Sequence, residues 1–316
     1  MPHTPRHSVV VPVYNEAEVL EAFHTRCTSA MQAIGEDYEI LYVDDGSRDA
    51  SWEILVCLAQ GDSRVRLLRL SRNFGHQVAI SAGIESARGD TVTTLDADLQ
   101  DPPEVIADLV AAWHEGADVV CAVRQERRGE PWFKCISASA FYSFVNLFSD
   151  IPLPAQAGDF RLLSRRAVKA LLAMPEKHRY VRGMVAWIGH EVATVGYSRE
   201  PRAAGRTKYS LPRMLGLASD GILAFSTLPL RAITWLGLGV TSYALAMGLC
   251  LVWTHLIGQR SLAWDSTSLA TLILLLAGAQ FLTLGVLGQY MGRIYSEVRQ
   301  RPLYLVRERR GFEDPT

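Results

Sequence analysis

The chain has 316 residues, 49% of them hydrophobic, with 32 basic against 33 acidic side chains and a formal net charge of −1. That length and apolar content admit one large domain with an appendage and exclude a disordered or fibrous chain. The balanced charge excludes a global field that draws the protein to nucleic acid, so an anionic partner has to be met by local basic groups.

The N-terminus reaches a Val-rich run, Ser8 to Val13, with no long apolar segment or small-residue cleavage site of a signal peptide. β-rich runs at Ser8–Val13, Glu39–Val43, Val65–Leu70, Thr91–Leu95 and Asp118–Ala122 alternate with helical stretches at Glu16–Ile34, Ser51–Gln60, Gln77–Ser86 and Pro103–Glu115. This alternation predicts an α/β domain of βαβ units with a mainly parallel sheet. Such sheets bind ligands beyond the carboxyl ends of their strands, and the polar chemistry falls there. Pro12-Val13-Tyr14-Asn15-Glu16 follows the first strand, Asp44-Asp45-Gly46-Ser47 the second, and Asp96-Ala97-Asp98 the fourth. No glycine-rich dinucleotide fingerprint or phosphate loop follows a strand. An acidic rim that meets phosphates therefore requires a cation.

Asp96 and Asp98 stand at i and i+2, on one side of a continuing strand. Two such oxygen donors suit Mg²⁺ or Mn²⁺, which take the rest of their shell from water and diphosphate. Gln100 offers a further ligand or a supporting contact. Asp101, before Pro102-Pro103, reads as a cap for the next helix. Asp44 and Asp45 read as partners for a base or ribose, with Tyr14 and Glu16 opposite, or as an Asp-Gly-Ser turn, and the two readings are compatible.

Two segments, Trp132–Phe148 and Tyr209–Leu228, read as interfacial helices, with ordinary amphipathic core helices as the alternative. Farther on, Ala232 to Gln259 and Ser266 to Gly292 contain no Asp, Glu, Lys or Arg. Each exceeds the roughly 20 residues that cross a bilayer core, which predicts a transmembrane hairpin. Arg231 precedes the pair, and Arg293, Arg299, Arg301, Arg307, Arg309 and Arg310 follow it, so the positive-inside rule places both chain ends in the cytoplasm. Cys27, Cys57, Cys121, Cys135 and Cys250, an odd set with no CxxC pair, read as reduced and mostly buried thiols in a cytosolic compartment. The expected organisation is a catalytic domain over 1–208, a juxtamembrane helix over 209–230, two spans over 231–292 and a basic tail over 293–316.

Several motifs together resemble a known family. They are Val11-Pro12-Val13-Tyr14-Asn15-Glu16, Asp44-Asp45-Gly46-Ser47-x-Asp49, Ser71-Arg72-Asn73-Phe74-Gly75-His76-Gln77 and Asp96-Ala97-Asp98-Leu99-Gln100-Asp101-Pro102-Pro103-Glu104. Gly158-Asp159-Phe160-Arg161-Leu162-Leu163-Ser164-Arg165-Arg166 and Arg202-x-x-Gly205-x-Thr207-Lys208-Tyr209 continue the series. In this order they are similar to family 2 glycosyltransferases of the polyprenyl-phosphate sugar synthase type, the group of dolichol-phosphate mannose synthase and the bacterial bactoprenol glucosyltransferases. Thr207 departs from the commoner Ser but keeps the hydroxyl. The resemblance implies a GT-A fold, a divalent cation held by Asp96, Asp98 and Gln100, and nucleotide-sugar contacts from Pro12, Tyr14, Glu16, Asp44, Asp45, Asp96 and Ala97. It also implies a catalytic or acceptor-side role for Asp159, with Asp98, and for Arg161, phosphate binding by Arg202 and Lys208, and inversion at the anomeric carbon. Arg124, Arg127 and Arg128 are further candidates for the acceptor phosphate, with a solvated charge run as the alternative for the last two.

Glucose from UDP-glucose is the expected donor because the Asn-Phe-Gly-His-Gln stretch and the two-span tail look most like the bactoprenol enzymes. GDP-mannose, UDP-N-acetylglucosamine and a UDP-arabinose derivative remain alternatives. The acceptor is expected to be a polyprenyl phosphate at the cytoplasmic face of a bacterial inner membrane, and the assembly a homo-oligomer, a tetramer by analogy. A processive polysaccharide synthase fits less well, since Gln-x-x-Arg-Trp is missing from the sequence, and intact rim carboxylates weigh against a silent scaffold.

Overall fold

The run His-Ser-Val-Val-Val-Pro-Val forms β1 (His7–Val13), buried at every position, as a central parallel strand covered on both faces should be. The computed structural model describes residues 5–124, 157–177, 179–198 and 266–312, with scattered positions between 233 and 253. After β1 come α1 (Leu20–Ile34), β2 (Tyr38–Asp44), α2 (Ser51–Gly61), β3 (Val65–Leu70), α3 (His76–Ser86) and β4 (Thr91–Thr94). A 3-10 turn (Pro103–Val105), α4 (Ile106–His114), β5 (Val119–Arg124), β6 (Ala157–Ser164), α5 (Arg165–Leu172), α6 (Val181–Trp187) and β7 (Val192–Tyr197) follow, then α7 (Ser266–Val298) and β8 (Val306–Arg310).

These strands form one sheet in the order β7-β5-β6-β4-β1-β2-β3-β8. β1 is parallel to β2 and β4, β2 to β3, and β5 to β7, whereas β6 runs antiparallel to β4 and β5, and β8 antiparallel to β3. The parallel strands therefore share a carboxyl rim, and β6 begins at that rim because it runs the other way. Thr94, the last residue of β4, pairs with Arg161. Continuing that register by two residues sets Asp159 opposite Asp96. α3 lies close against the sheet because of Gly83, where a Cβ would sit 2.2 Å from Val10 Cγ1. Fully buried Phe23, Ile40, Tyr42, Leu67 and Phe160 fill the core.

The expected strands and the helices between them are present, and three strands stand outside the expectation. β6 and β7 were not read as strands, and Val306–Arg310, expected within a basic tail, forms the edge strand β8. Its charged run, with Arg307, Arg309 and Arg310 exposed about a half-buried Glu308, hides a strand from a hydrophobic-period reading and suits a sheet edge, where charge discourages further pairing. Leu305 O accepts from Ser71 N at 2.8 Å and Tyr304 Oη donates to Glu85 at 2.8 Å, so the residues leading into β8 are tied to the end of β3 and to α3. Cys27 and Cys121 are buried free thiols, and Cys57 is an exposed one.

Contacts divide the chain into Met1–Leu217 with Arg301–Thr316, and Ala218–Gln300. The second unit contains α7, a 33-residue helix whose described side chains include exposed Leu269, Ile273, Leu276, Phe281, Leu284 and Leu287. Over the described residues no helix is long and apolar enough to cross a membrane. Trp132–Phe148, Tyr209–Leu228 and most of Ala232–Gln259 lie outside the described residues.

Candidate active site

Past the end of β4 the burial alternates with a period of two. Asp96, Asp98 and Gln100 are half-buried, while Ala97, Leu99 and Asp101 are buried, but the strand stops at Thr94 and the carboxylates stand in the turn beyond it, not on a continuing strand. Leu99 has a φ of 58°, a left-handed conformation that costs an L-residue about 1–2 kcal/mol. Strain of this kind marks a segment fixed by its surroundings. Asp98 Oδ1 accepts from Gln100 N at 3.1 Å. Asp96 keeps 38% of its side chain exposed, with His76 Nε2 3.5 Å from its Oδ1. Burial pushes the Asp96 carboxyl up to about 6; His76 opposes this and the Asp159 and Asp98 charges add to it. Burial would depress His76, but the Asp96 and Asp159 carboxylates raise it to about 9.

The antiparallel start of β6 brings Asp159 to the same place. His76 Nε2 lies 3.4 Å from Asp159 Oδ2, so one imidazole spans both carboxylates. Arg182 of α6 donates to Asp159 from Nε to Oδ1 and from Nη2 to Oδ2, each at 2.9 Å, and Gln77 Nε2 donates at 3.2 Å. Burial works against ionisation, yet the bonds from His76 and Arg182 hold the Asp159 carboxyl well below the usual carboxylate range. Its carboxylate is thus favoured in the ionised form, with both oxygens bound by neighbouring donors.

The basic residues expected on the acceptor side divide. Arg161 is 2% exposed, donates from Nη2 to Gly158 O at 2.6 Å and lies 3.6 Å from Asp159 Oδ1. It serves as an internal counter-ion and not as an open phosphate ligand. Arg124 keeps 37% of its side chain exposed beside Asp101 Oδ2 at 3.6 Å, and its Nε donates to Tyr197 Oη at 3.1 Å. Asp101 is not the expected helix cap. Pro102 holds that position without a side-chain bond, because Tyr197 Oη, donating at 2.5 Å, and Arg124 draw the 2% exposed Asp101 into the end of the sheet. Arg127, Arg128, Arg202 and Lys208 lie outside the described residues.

On the other flank, Pro12 is buried in β1 opposite Val43, and Tyr14 and Glu16 are half-buried beyond it. The loops after β1 and β2 are laced together. Asn15, at φ 54°, donates from its backbone N to Ser47 Oγ at 3.0 Å and accepts on Oδ1 from Arg48 N at 2.8 Å. Asp44 is wholly buried, accepting from Ser47 N at 2.9 Å and lying 3.1 Å from Arg69 Nε. Asp45, 3% exposed, accepts from Phe74 N at 2.7 Å and Gly75 N at 2.9 Å. Burial raises its carboxyl against those two bonds. Gly46 sits between at φ +71°, where a Cβ would lie 2.6 Å from Arg72 C. Both carboxylates expected at the nucleotide are therefore engaged by the protein's own loops.

Sequence reasoning gave no role to His76, Gln77, Arg69 or Arg182. The first two stand inside a quoted motif, which was the available signal. Arg182 had none, since nothing along the chain ties it to Asp159.

The profile of Glycosyl transferase family 2 matches residues 8–172, from β1 to the end of α5. An uncharacterized glycosyltransferase of Bacillus subtilis (strain 168), YkcC, is 42% identical over 98% of this chain and 95% of its own length. The bactoprenol glucosyl transferase of Shigella phage SfII is 38% identical over 95% of this chain and 97% of its own. The mannosyltransferase PcManGT from Pyrobaculum calidifontis, solved with GDP-Man and Mn²⁺, is similar at a TM-score of 0.48 and 15% identity, over 95% of this chain and 87% of that one. The mostly parallel sheet is that of a GT-A-like α/β fold, and the chain belongs to glycosyl transferase family 2.

Proposed function

We propose that the protein transfers one hexose, glucose from UDP-glucose, to polyprenyl phosphate with inversion at the anomeric carbon. The observation that carries the acceptor class is that both carboxylate oxygens of Asp159 are already engaged, by the Arg182 fork and by Gln77, which leaves the group poorly placed to act as a base. A general base works best with a pKa near the operating pH, and a hydroxyl acceptor, approaching water's ~15.7, needs one. A phosphate monoester with a second pKa near ~6 is already an anion and needs none. The bactoprenol glucosyl transferase relatives, 38% identical over 95% of the chain, support the lipid acceptor and the glucose donor.

The donor set at the rim fits Mg²⁺ or Mn²⁺. Asp96 and Asp98 are half-open, and a third carboxylate, Asp159, approaches through the shared His76. Either cation is held by one or two carboxylates and completes its shell from diphosphate and water. Asp96 and Asp98 would hold it, with Gln100 beside them. Such a cation neutralises the departing nucleoside diphosphate. Pro12, Tyr14, Glu16 and Ala97 then border the nucleotide, and Asp44 and Asp45 act by fixing the loops that carry those contacts. Asp159 is a fixed negative charge that orients the acceptor and stabilises positive charge developing on the sugar. Arg124 borders the acceptor phosphate, with Arg128, Arg202 and Lys208 assigned to it by motif.

The charge-free stretches Ala232–Gln259 and Ser266–Gly292, with the exposed apolar side chains of α7, support a membrane hairpin. It divides the chain into 1–208, 209–230, 231–292 and 293–316, with both ends in the cytoplasm of a bacterium, in a homo-oligomer, a tetramer by analogy. The test uses the full chain in detergent with undecaprenyl phosphate and labelled UDP-glucose, GDP-mannose, UDP-N-acetylglucosamine or a UDP-arabinose derivative. Label from UDP-glucose should enter an organic-extractable lipid and stop with chelator. Transfer to a sugar hydroxyl instead, or transfer indifferent to chelator, would sink the proposal.

A further inference from the structure

Asp159 does not hold itself in place. Its backbone carbonyl accepts from Thr94 Oγ1, and its carboxylate receives two parallel bonds from Arg182, both at 2.9 Å. A guanidinium fork of this kind fixes the plane of a carboxylate as well as its charge, which a point charge does not. The pair is partly shielded from water, with 33% of the Arg182 side chain and 11% of Asp159 exposed, so it is screened less than a surface pair. His76 and Arg161 add positive charge at 3.4 and 3.6 Å without making a fork.

Gln77 completes the arrangement. Its Nε2 donates to Asp159 Oδ2 at 3.2 Å, and its Oε1 accepts from Val181 N, the first residue of α6, at 3.0 Å. The two ends of an amide are not interchangeable: only N–H can donate to the carboxylate, and only the carbonyl can accept from the backbone N–H. One side chain on α3 therefore ties β6, which carries Asp159, to α6, which carries Arg182.

We infer that Gln77 and Arg182 are positioning residues for the transfer, Arg182 aiming the Asp159 carboxylate and Gln77 setting the start of α6 so that the fork meets it. This rests on the reaction proposed above. Neither residue touches the reacting atoms; both act through Asp159. The consequence is non-additivity, because once Asp159 is neutral there is nothing left to aim.

The experiment is a double-mutant cycle on the full chain in detergent, with undecaprenyl phosphate as acceptor. Arg182→Ala should lower kcat about 30-fold and Gln77→Leu about fivefold, the scale of hydrogen bonds to a charged group. The donor KM should change less than about twofold, since ground-state donor binding is untouched. In an Asp159→Asn background neither substitution should lower kcat further. Millimolar guanidinium should restore part of the Arg182→Ala activity, and Arg182→Lys should fall between wild type and Arg182→Ala. A lost fold would show as a collapsed thermal midpoint and would respond to neither guanidinium nor Lys. A full further loss in the Asp159→Asn background would overturn the inference.

A second arm does not depend on the acceptor. In ¹⁵N-arginine-labelled protein the signal identified by its loss in Arg182→Lys should exchange slowly with solvent. It should shift and exchange faster in Asp159→Asn and in Gln77→Leu. If wild type glycosylates no lipid phosphate, the reaction proposed above fails, and this arm alone decides whether Arg182 and Gln77 hold Asp159. A signal indifferent to Asp159→Asn overturns the positioning.

Discussion

β2 and β4 flank β1 and each leads into a pair of aspartates, yet the two pairs are held in opposite ways. Asp44 and Asp45 are consecutive, so their side chains leave the strand on opposite sides, and each finds partners inside the protein: Arg69 and Ser47 for one, the Phe74 and Gly75 amides for the other. Asp96 and Asp98 are separated by one residue and both stay half-open, with His76 between Asp96 and Asp159. A one-residue difference in spacing separates a pair held inside the loops from a pair left half-open at the rim. The first pair is buried against the protein's own groups, whereas the second stays half-open, with His76 set between Asp96 and Asp159.

The largest effect that sharpens this contrast is expected from Asp98→Asn. Sugar transfer should fall by about 10²–10³-fold, the scale of removing one group that stabilises developing charge, while the thermal midpoint of chelator-treated protein should hold or rise because repulsion is relieved. A midpoint that drops by many degrees would place Asp98 with the structural pair.

Asp44→Ala should do the reverse. It leaves the mostly buried Arg69 guanidinium without its carboxylate, at a cost of about 3 kcal/mol. Activity measured on protein kept well below its lowered midpoint should stay close to wild type. Asp45→Ala should destabilise by about 2 kcal/mol through two unsatisfied amides, read as a lower denaturant midpoint, and loosen the segment from Phe74 to His76.

The smallest effect lies far from the rim. His7 is buried, bonded to Thr91 Oγ1 at 2.7 Å and Glu36 at 2.8 Å, and burial lowers its pKa despite Glu36. The unfolded chain therefore binds a proton more readily, so the stability His7 contributes is complete above about 6.5 and declines as pH falls below it. Wild type should lose stability between about pH 7 and pH 5.5 more steeply than His7→Gln, followed by urea unfolding, with the carboxylate-dependent loss coming only at lower pH.

Much of this was legible in advance. The hydrophobic runs of β1 to β5 and the helices between them mark a parallel sheet, and Asp-x-Asp marks its rim. What escaped was direction and distance. β6 is antiparallel, and only that reversal returns Asp159 to the rim beside Asp96. Gly158-Asp159-Phe160-Arg161 reads equally well as a loop, and Arg161, expected on the acceptor side, is buried beside Asp159. The inward turn of Asp44 and Asp45 depends on Arg69 and on amides from the loop before α3, neither of which neighbours them in sequence. The charged run of β8 concealed an edge strand for the same reason that it suits one.

The most direct measurement is anomalous diffraction from crystals of the full chain with Mn²⁺ and UDP. A single peak should lie in coordination contact with Asp96 and Asp98, with the diphosphate on its far side and Asp44 and Asp45 still bound to their loops. A peak at Asp44 or Asp45, or UDP bound with Asp96 and Asp98 turned away from any ion, would contradict the division of labour between the two pairs.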